Sequence, residues 1–285
     1  MTRIIYGAAI GDICGSIYEG NNRKTDKPEE IELMNPMCRF TDDTVLTAAT
    51  ACAAATDRDY GKALHWWANR YPNAGYGPSF IQWMRSKNPQ PYNSWGNGSA
   101  MRVSPIAWYF DDEATVLAEA ARSAEPTHNH PEGIKGAQAV ALAVLLARTG
   151  HGKEIKERIQ SEFGYDLSKT LAEIRPTYEF DVSCQGTVPV AITAFLESHD
   201  FVSAIQNAIS VGGDSDTIAA ITGSIAEGAY YLSESHKQLS NFALSKMPRE
   251  LQQIVLRVEH LTACPGEFRL GQGAGTMIRQ ILTSW

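Results

Sequence analysis

Apolar positions recur along this chain at three- and four-residue spacing, and no sustained alternation of apolar and polar residues appears. That pattern predicts helices joined by loops, with few strands. Residues 6–18 read as a first helix carrying Gly7, Ala8, Gly11 and Gly15 on one side. A helical glycine costs roughly 1 kcal/mol relative to alanine, so three of them at four-residue spacing predict close backbone packing against another element. A polar loop spans 21–36, and Thr41 or Asp42 caps a second helix running to about 56. Further helices are expected over 60–70, 80–86, 114–124, 132–149, 153–163, 167–174, 187–198, 201–211, 218–232, 235–244 and 249–261. An apolar element restarts at Ser99. Segments 71–79, 88–98 and 127–131, rich in Gly, Pro, Asn and His, read as loops. The expected fold is all-α, a compact multi-helix single domain over 1–285 with its chemistry in inter-helix loops.

Composition sharpens this only slightly. The 285 residues are 44% hydrophobic and 20% charged, enough for a sizeable core. A formal net charge of -7 argues against a partner that is nucleic acid or an anionic membrane. The five cysteines are odd in number, widely spread and free of any CxxC. Neither a disulfide framework nor a cysteine zinc site is expected, and a cytoplasmic location fits. Asp12 interrupts the first apolar stretch too early for a signal-peptide core, and no window reaches a membrane-spanning length.

Two helix starts carry more acid than capping requires. Phe40-Thr41-Asp42-Asp43-Thr44 precedes the small-residue run 45–55, and Gly213-Asp214-Ser215-Asp216-Thr217 precedes the apolar run 218–226. One carboxylate suffices for a cap, yet each tip has two. The helices that follow are too apolar for the surface, so their starts are expected in the interior. Carboxylates converging there would repel one another unless a cation neutralised them. Oxygen ligands without His or Cys suit Mg²⁺ or Mn²⁺ rather than zinc.

The loops between the tips offer complementary chemistry. Gly96-Asn97-Gly98-Ser99-Ala100-Met101-Arg102 places glycines before a helix, where exposed amides form an anion nest and Asn97 can take a positive φ while still offering its side-chain amide. Tyr76 and Gly77 sit in a similar, weaker loop. Tyr92 and Trp95, beside the nest, are candidates to stack on a base. His128 and His130 lack a third soft ligand nearby, so hydrogen bonding is expected rather than zinc binding. The 271–275 glycine run follows no strand and reads as a loop, not a dinucleotide fingerprint.

Taken together, Gly7…Gly11-Asp12…Gly15…Glu19-Gly20, Phe40 to Thr44, Gly96 to Arg102, Thr127-His128…His130-Pro131 and Gly212 to Thr217 resemble, in order, the motifs of the ADP-ribosylglycohydrolase family. The resemblance covers about residues 4–262 and leaves 263–285 as an extension. It implies an all-α fold, a monomer, and a centre of two divalent ions, Mg²⁺ or Mn²⁺. It implies hydrolytic release of ADP-ribose from a modified side chain, most simply arginine. The resemblance assigns Thr41, Asp42, Asp43, Asp214, Asp216 and Thr217 to the metals. Gly96, Asn97, Gly98 and Ser99 fall to the diphosphate, while His128, Met101, Tyr92, Trp95, Tyr76 and Gly77 fall to the rest of the ligand. Glu19 and Asp43 are the expected catalytic carboxylates. Some family members carry an aspartate in the loop that here reads Gly75-Tyr76-Gly77-Pro78-Ser79-Phe80. Alternatives are hydrolysis of serine-linked or O-acetyl ADP-ribose, and a weak or inactive ADP-ribose-binding relative that antagonises a toxin.

Overall fold

The structure is a computed structural model that describes residues 6–257 apart from 21 and 232. The extension 263–285, the glycine run 271–275 and the end of the last expected helix lie outside the described residues.

The first half of the chain forms α1 (Gly7–Gly15), α2 (Asp42–Ala55), α3 (Tyr60–Arg70), α4 (Pro78–Arg85), α5 (Gly98–Met101), α6 (Ser104–Tyr109), α7 (Glu113–Ala124) and α8 (Pro131–Arg148). The second half forms α9 (Ile155–Phe163), α10 (Leu171–Ile174), α11 (Cys184–Leu196), α12 (Phe201–Ser210), α13 (Ser215–Tyr230), α14 (Glu234–Lys246) and α15 (Arg249–Arg257). Among the described residues there is no sheet; the one β-bridge pairs Gly96 with Ser183. The all-α expectation holds.

Polar residues set several of the helix starts. Asp59, Asp112, Ser183, Asp200 and Ser233 each accept an amide of their own first turn. Several boundaries differ from expectation by a few residues, two of them for clear local reasons. The 167–174 helix shrinks to α10 because Thr170 and Glu173 form a capping box there, while the Asp166 side chain ties down the Ser168 amide upstream. The first helix stops at Gly15, after which Ser16 Oγ donates back to Ile13 O (2.8 Å).

The core is built around helices buried on all sides. In α13 every residue from Ser215 to Glu227 is buried, and in α2 every residue from Asp43 to Ala54. Such helices need apolar or small residues all round, which their Ala-rich sequences supply. α13 packs on α1, α8, α11 and α12, and α2 packs on α3 and α6. The expected close packing of α1 is found against α13. A Cβ at Gly7 would sit 2.2 Å from Gly223 O, and one at Gly15 would sit 2.5 Å from Asp216 Cα. This contact brings Asp12, in the middle of α1, beside the start of α13. Cys14, Cys38 and Cys184 are buried free thiols.

Candidate active site

The two acidic tips meet. Thr217 Oγ1, at the start of α13, donates to Asp43 Oδ2 at the start of α2 (3.2 Å). The residue that organises the meeting is Asp12, which the resemblance carried as part of a motif without a role. Its Oδ2 accepts the backbone amides of Thr41 (2.9 Å) and Thr44 (3.1 Å) and the Thr44 hydroxyl. Its Oδ1 accepts the Thr41 hydroxyl at 2.7 Å. A carboxylate from α1 thus pins the first turn of α2, and Thr41 also caps that helix. The available sequence signal was an aspartate inside a run of Gly, Ala and Ile. A charge buried there is costly unless polar groups meet it.

Two groups of carboxylate oxygens lie within 4.8 Å of one another: Asp12, Asp43 and Asp216, and Glu19, Asp214 and Asp216. Asp216 belongs to both. Asp43 Oδ1 is buried without a hydrogen-bond partner. Burial first, and then the neighbouring carboxylates, raise Asp43 and Asp216 well above the ordinary aspartate range. Asp42 is pushed up to about 8, by burial and then by Asp12. Asp12, Glu19 and Asp214 are raised as well, each chiefly by burial. So many carboxylates, an orphaned buried oxygen and no nitrogen or sulfur ligand fit a hard divalent cation.

The tips form the floor of a cleft of about 480 Å³, a size suited to a nucleotide-like ligand. Asp42, Asp43, Asp214, Asp216, Thr217 and Glu19 line it, with Glu19 on the exposed rim. On the other side lie Tyr92, Gly96, Asn97, Gly98, Met101 and His128, and Tyr76 and Gly77 join from the loop before α4. Three expected residues do not line the cleft. Thr41 spends its hydroxyl on Asp12 and on its helix cap. Ser99 is fully buried and donates to Gly133 O (2.7 Å). Trp95 is 54% exposed and packs its ring edge-on against His130.

The glycine turn also differs in detail. Asn97 has φ -70°, not a positive value, and its amide nitrogen donates to Asp214 Oδ2 (2.7 Å) and Thr187 Oγ1 (3.0 Å). The backbone amides of Gly96 and Asn97 are spent on Ser94 Oγ and Val182 O. Sequence reasoning did not anticipate the segment 178–183, which pairs with this turn and carries Phe180 and Val182 into the cleft wall with about half of each exposed. No local pattern marks that segment. Its role comes from the bridge to Gly96.

An all-α protein with clustered carboxylates at the floor of a nucleotide-sized cleft is the class that this fold and site define. The chain belongs to the ADP-ribosylglycohydrolase family, whose model matches residues 2–254. It is 28% identical over 303 residues to ADP-ribosylhydrolase ARH3 of Mus musculus, a match covering 79% of this chain and 82% of that protein. It is 24% identical over 262 residues to ADP-ribosylarginine hydrolase Tri1 of Pseudomonas putida (strain GB-1), covering 80% and 70%. A solved structure described as an ADP-ribosylglycohydrolase-related protein complex superposes with a TM-score of 0.69 at 22% identity, covering 90% of this chain and 95% of that one. That structure shares the all-α fold.

Proposed function

We propose that this protein hydrolyses the bond between ADP-ribose and a modified protein arginine, using two Mg²⁺ or Mn²⁺ ions. The observation that carries the reading is the 2.7 Å bond from Asn97 to Asp214. It bolts the glycine turn to an acidic tip, so that one cleft offers a phosphate end and a carboxylate end. Asp42, Asp43, Asp214, Asp216 and Thr217 would hold the ions, with Asp12 behind them and Thr41 fixing the turn. Bound there, such ions would neutralise the carboxylates and supply Lewis-acid chemistry at the acidic end of the cleft.

The chain's own groups divide the remaining work. Gly98 and His128, which line the wall opposite the acidic tips, hold the diphosphate, and Tyr92 offers a face to the base. Asp43 and Glu19 stabilise the positive charge that develops on the sugar as the bond opens, and one of them takes the proton of the attacking water. The cleft wall at Pro78 and Ser79 carries no acid. That suits arginine. An ADP-ribosylated guanidinium leaves as neutral guanidine without a proton from the protein, whereas a serine alkoxide needs one at departure.

Peptides carrying ADP-ribosyl-arginine and ADP-ribosyl-serine, offered to the pure protein with Mg²⁺, Mn²⁺ or EDTA, test the reading. ADP-ribose should appear from the arginine peptide with metal and not with EDTA. Release from serine alone selects the second reading, in which the acceptor is a hydroxyl. Release from neither sinks both.

The raised carboxyls give a second test. Their favourable contribution to the metal-free fold is complete below the unfolded-state value near 4. It is lost as pH rises through about 8, the value for Asp42. Metal should therefore raise the Tm of EDTA-stripped protein more at pH 8 than at pH 5. An equal or smaller gain at pH 8 contradicts the assignment.

A further inference from the structure

Behind the glycine turn lies a buried guanidinium that makes no ion pair among the described residues and feels Asp42 only through its field. Arg102, at the end of α5, is fully enclosed and lines the inner wall of the cleft. Its Nη2 donates to Ser123 O (3.1 Å) and to Thr127 Oγ1 (2.9 Å), while Nε and Nη1 have no partner. An unmatched buried cation is expensive, and retaining one beside a ligand cleft favours an anion in that cleft.

Thr127 passes the effect on. It is fully enclosed, and its Oγ1 lies 2.7 Å from His128 Nδ1. A guanidinium has no lone pair to offer, so Arg102 must occupy an acceptor position on that oxygen. If Nδ1 carried the ring proton and donated as well, the threonine's own proton would point at no acceptor in an enclosed site. A hydroxyl donating to Nδ1 satisfies every position. The ring proton is then on Nε2. That edge of the ring faces the glycine turn: a Cβ at Gly98 would lie 3.2 Å from Nε2, and one at Gly96 would lie 3.5 Å away. Burial, and then the charge of Arg102, hold the imidazole neutral.

We propose that Arg102 and Thr127 are positioning residues that lock His128 in its Nε2–H form, presenting a fixed neutral donor to the diphosphate of bound ADP-ribose. The ligand in this statement rests on the function proposed above, whereas the tautomer does not. In this arrangement the histidine cannot turn an acceptor nitrogen toward the phosphates. The unmatched charge of Arg102 acts from behind it, favouring an anion on the far side of the ring.

Nitrogen NMR of the full chain labelled with ¹⁵N-histidine reads the tautomer directly, with His128 assigned by its absence in His128→Gln. The wild type should show a bare Nδ1 and a protonated Nε2. The reverse pattern, or an imidazolium, overturns the relay without any variant having to fold. Calorimetric titration with ADP-ribose in the presence of Mg²⁺ gives the second readout. Thr127→Val should weaken binding by about 10-fold, one hydrogen bond to a charged ligand. KM should rise to match and kcat should change little. Thr127→Ser should restore both the tautomer and the affinity. Unchanged affinity in Thr127→Val overturns the proposal. Absence of ADP-ribose binding in the wild type overturns the ligand and the proposed function together, whereas binding with the wrong tautomer overturns the relay alone.

Discussion

Asp43→Asn is expected to melt at a higher temperature than the wild type in EDTA, to lose its thermal response to Mg²⁺, and to lose turnover by at least about 10²-fold. The opposite signs follow from one environment. Asp43 is buried, hydrogen-bonded at Oδ2 by Thr217 and orphaned at Oδ1. Burial and the nearby carboxyls of Asp12, Asp42 and Asp214 raise its pKa. Without a cation that charge opposes folding, and asparagine removes it while keeping the shape and an oxygen for Thr217. With a cation the same charge is the ligand, so the variant forfeits what the metal would have returned. Differential scanning fluorimetry with and without Mg²⁺, beside an ADP-ribose release assay, reads all three effects. A variant that melts lower in EDTA and still gains from Mg²⁺ would show that Asp43 is a structural polar group and not a metal ligand.

The second large effect is on stability. Gly11→Ala should destabilise the protein by about 3 kcal/mol, near the upper end for overpacking, lowering the Tm by roughly 5 °C in a chain of this size. The added Cβ would meet Ala219 O at 2.0 Å and Ala220 N at 2.5 Å, both backbone atoms of α13. Neither can swing aside as a side-chain tip would. The two helices must part, and with them Asp12 and Asp216, so weaker metal binding should accompany the lower Tm. Gly152→Ala, with nothing within 4 Å of the added carbon, is the control and should be neutral. Chemical denaturation with unchanged midpoints for both variants would contradict the account of the α1–α13 contact.

These two positions also show what could be read from the chain beforehand. The glycines of α1 and the acidic tips were legible because each violates an expectation of its local setting. Glycine is wasteful in a helix, and paired carboxylates exceed what a cap needs. Asp12 was harder to interpret. A single acid in a helix declares itself costly but does not say whom it serves, and its partners Thr41 and Thr44 come into reach only through tertiary packing. Trp95 and Ser99 were misdirected for a related reason. Adjacent residues in a turn face different ways, and the sequence does not say which way Trp95 faces. Asn97 was expected to accept a positive φ and still offer its side-chain amide; the turn takes φ -70° and the amide reaches Asp214. Segment 178–183 had no signal of its own, since its part in the cleft depends on a main-chain bridge to Gly96.

The pairing of α1 with α13 has a consequence for synthesis. Asp216 follows Asp12 by 204 positions along the chain. At ordinary translation rates of about 5–20 residues per second, roughly 10–40 s pass between them. Throughout that interval the nascent chain carries a glycine-lined helix without its main docking surface, α13, and half a set of carboxylates with no counterpart. The centre therefore cannot close until the start of α13 has been made. A ribosome stalled before α13 would expose a chain whose early helices remain without their central partner, a natural substrate for a holding chaperone.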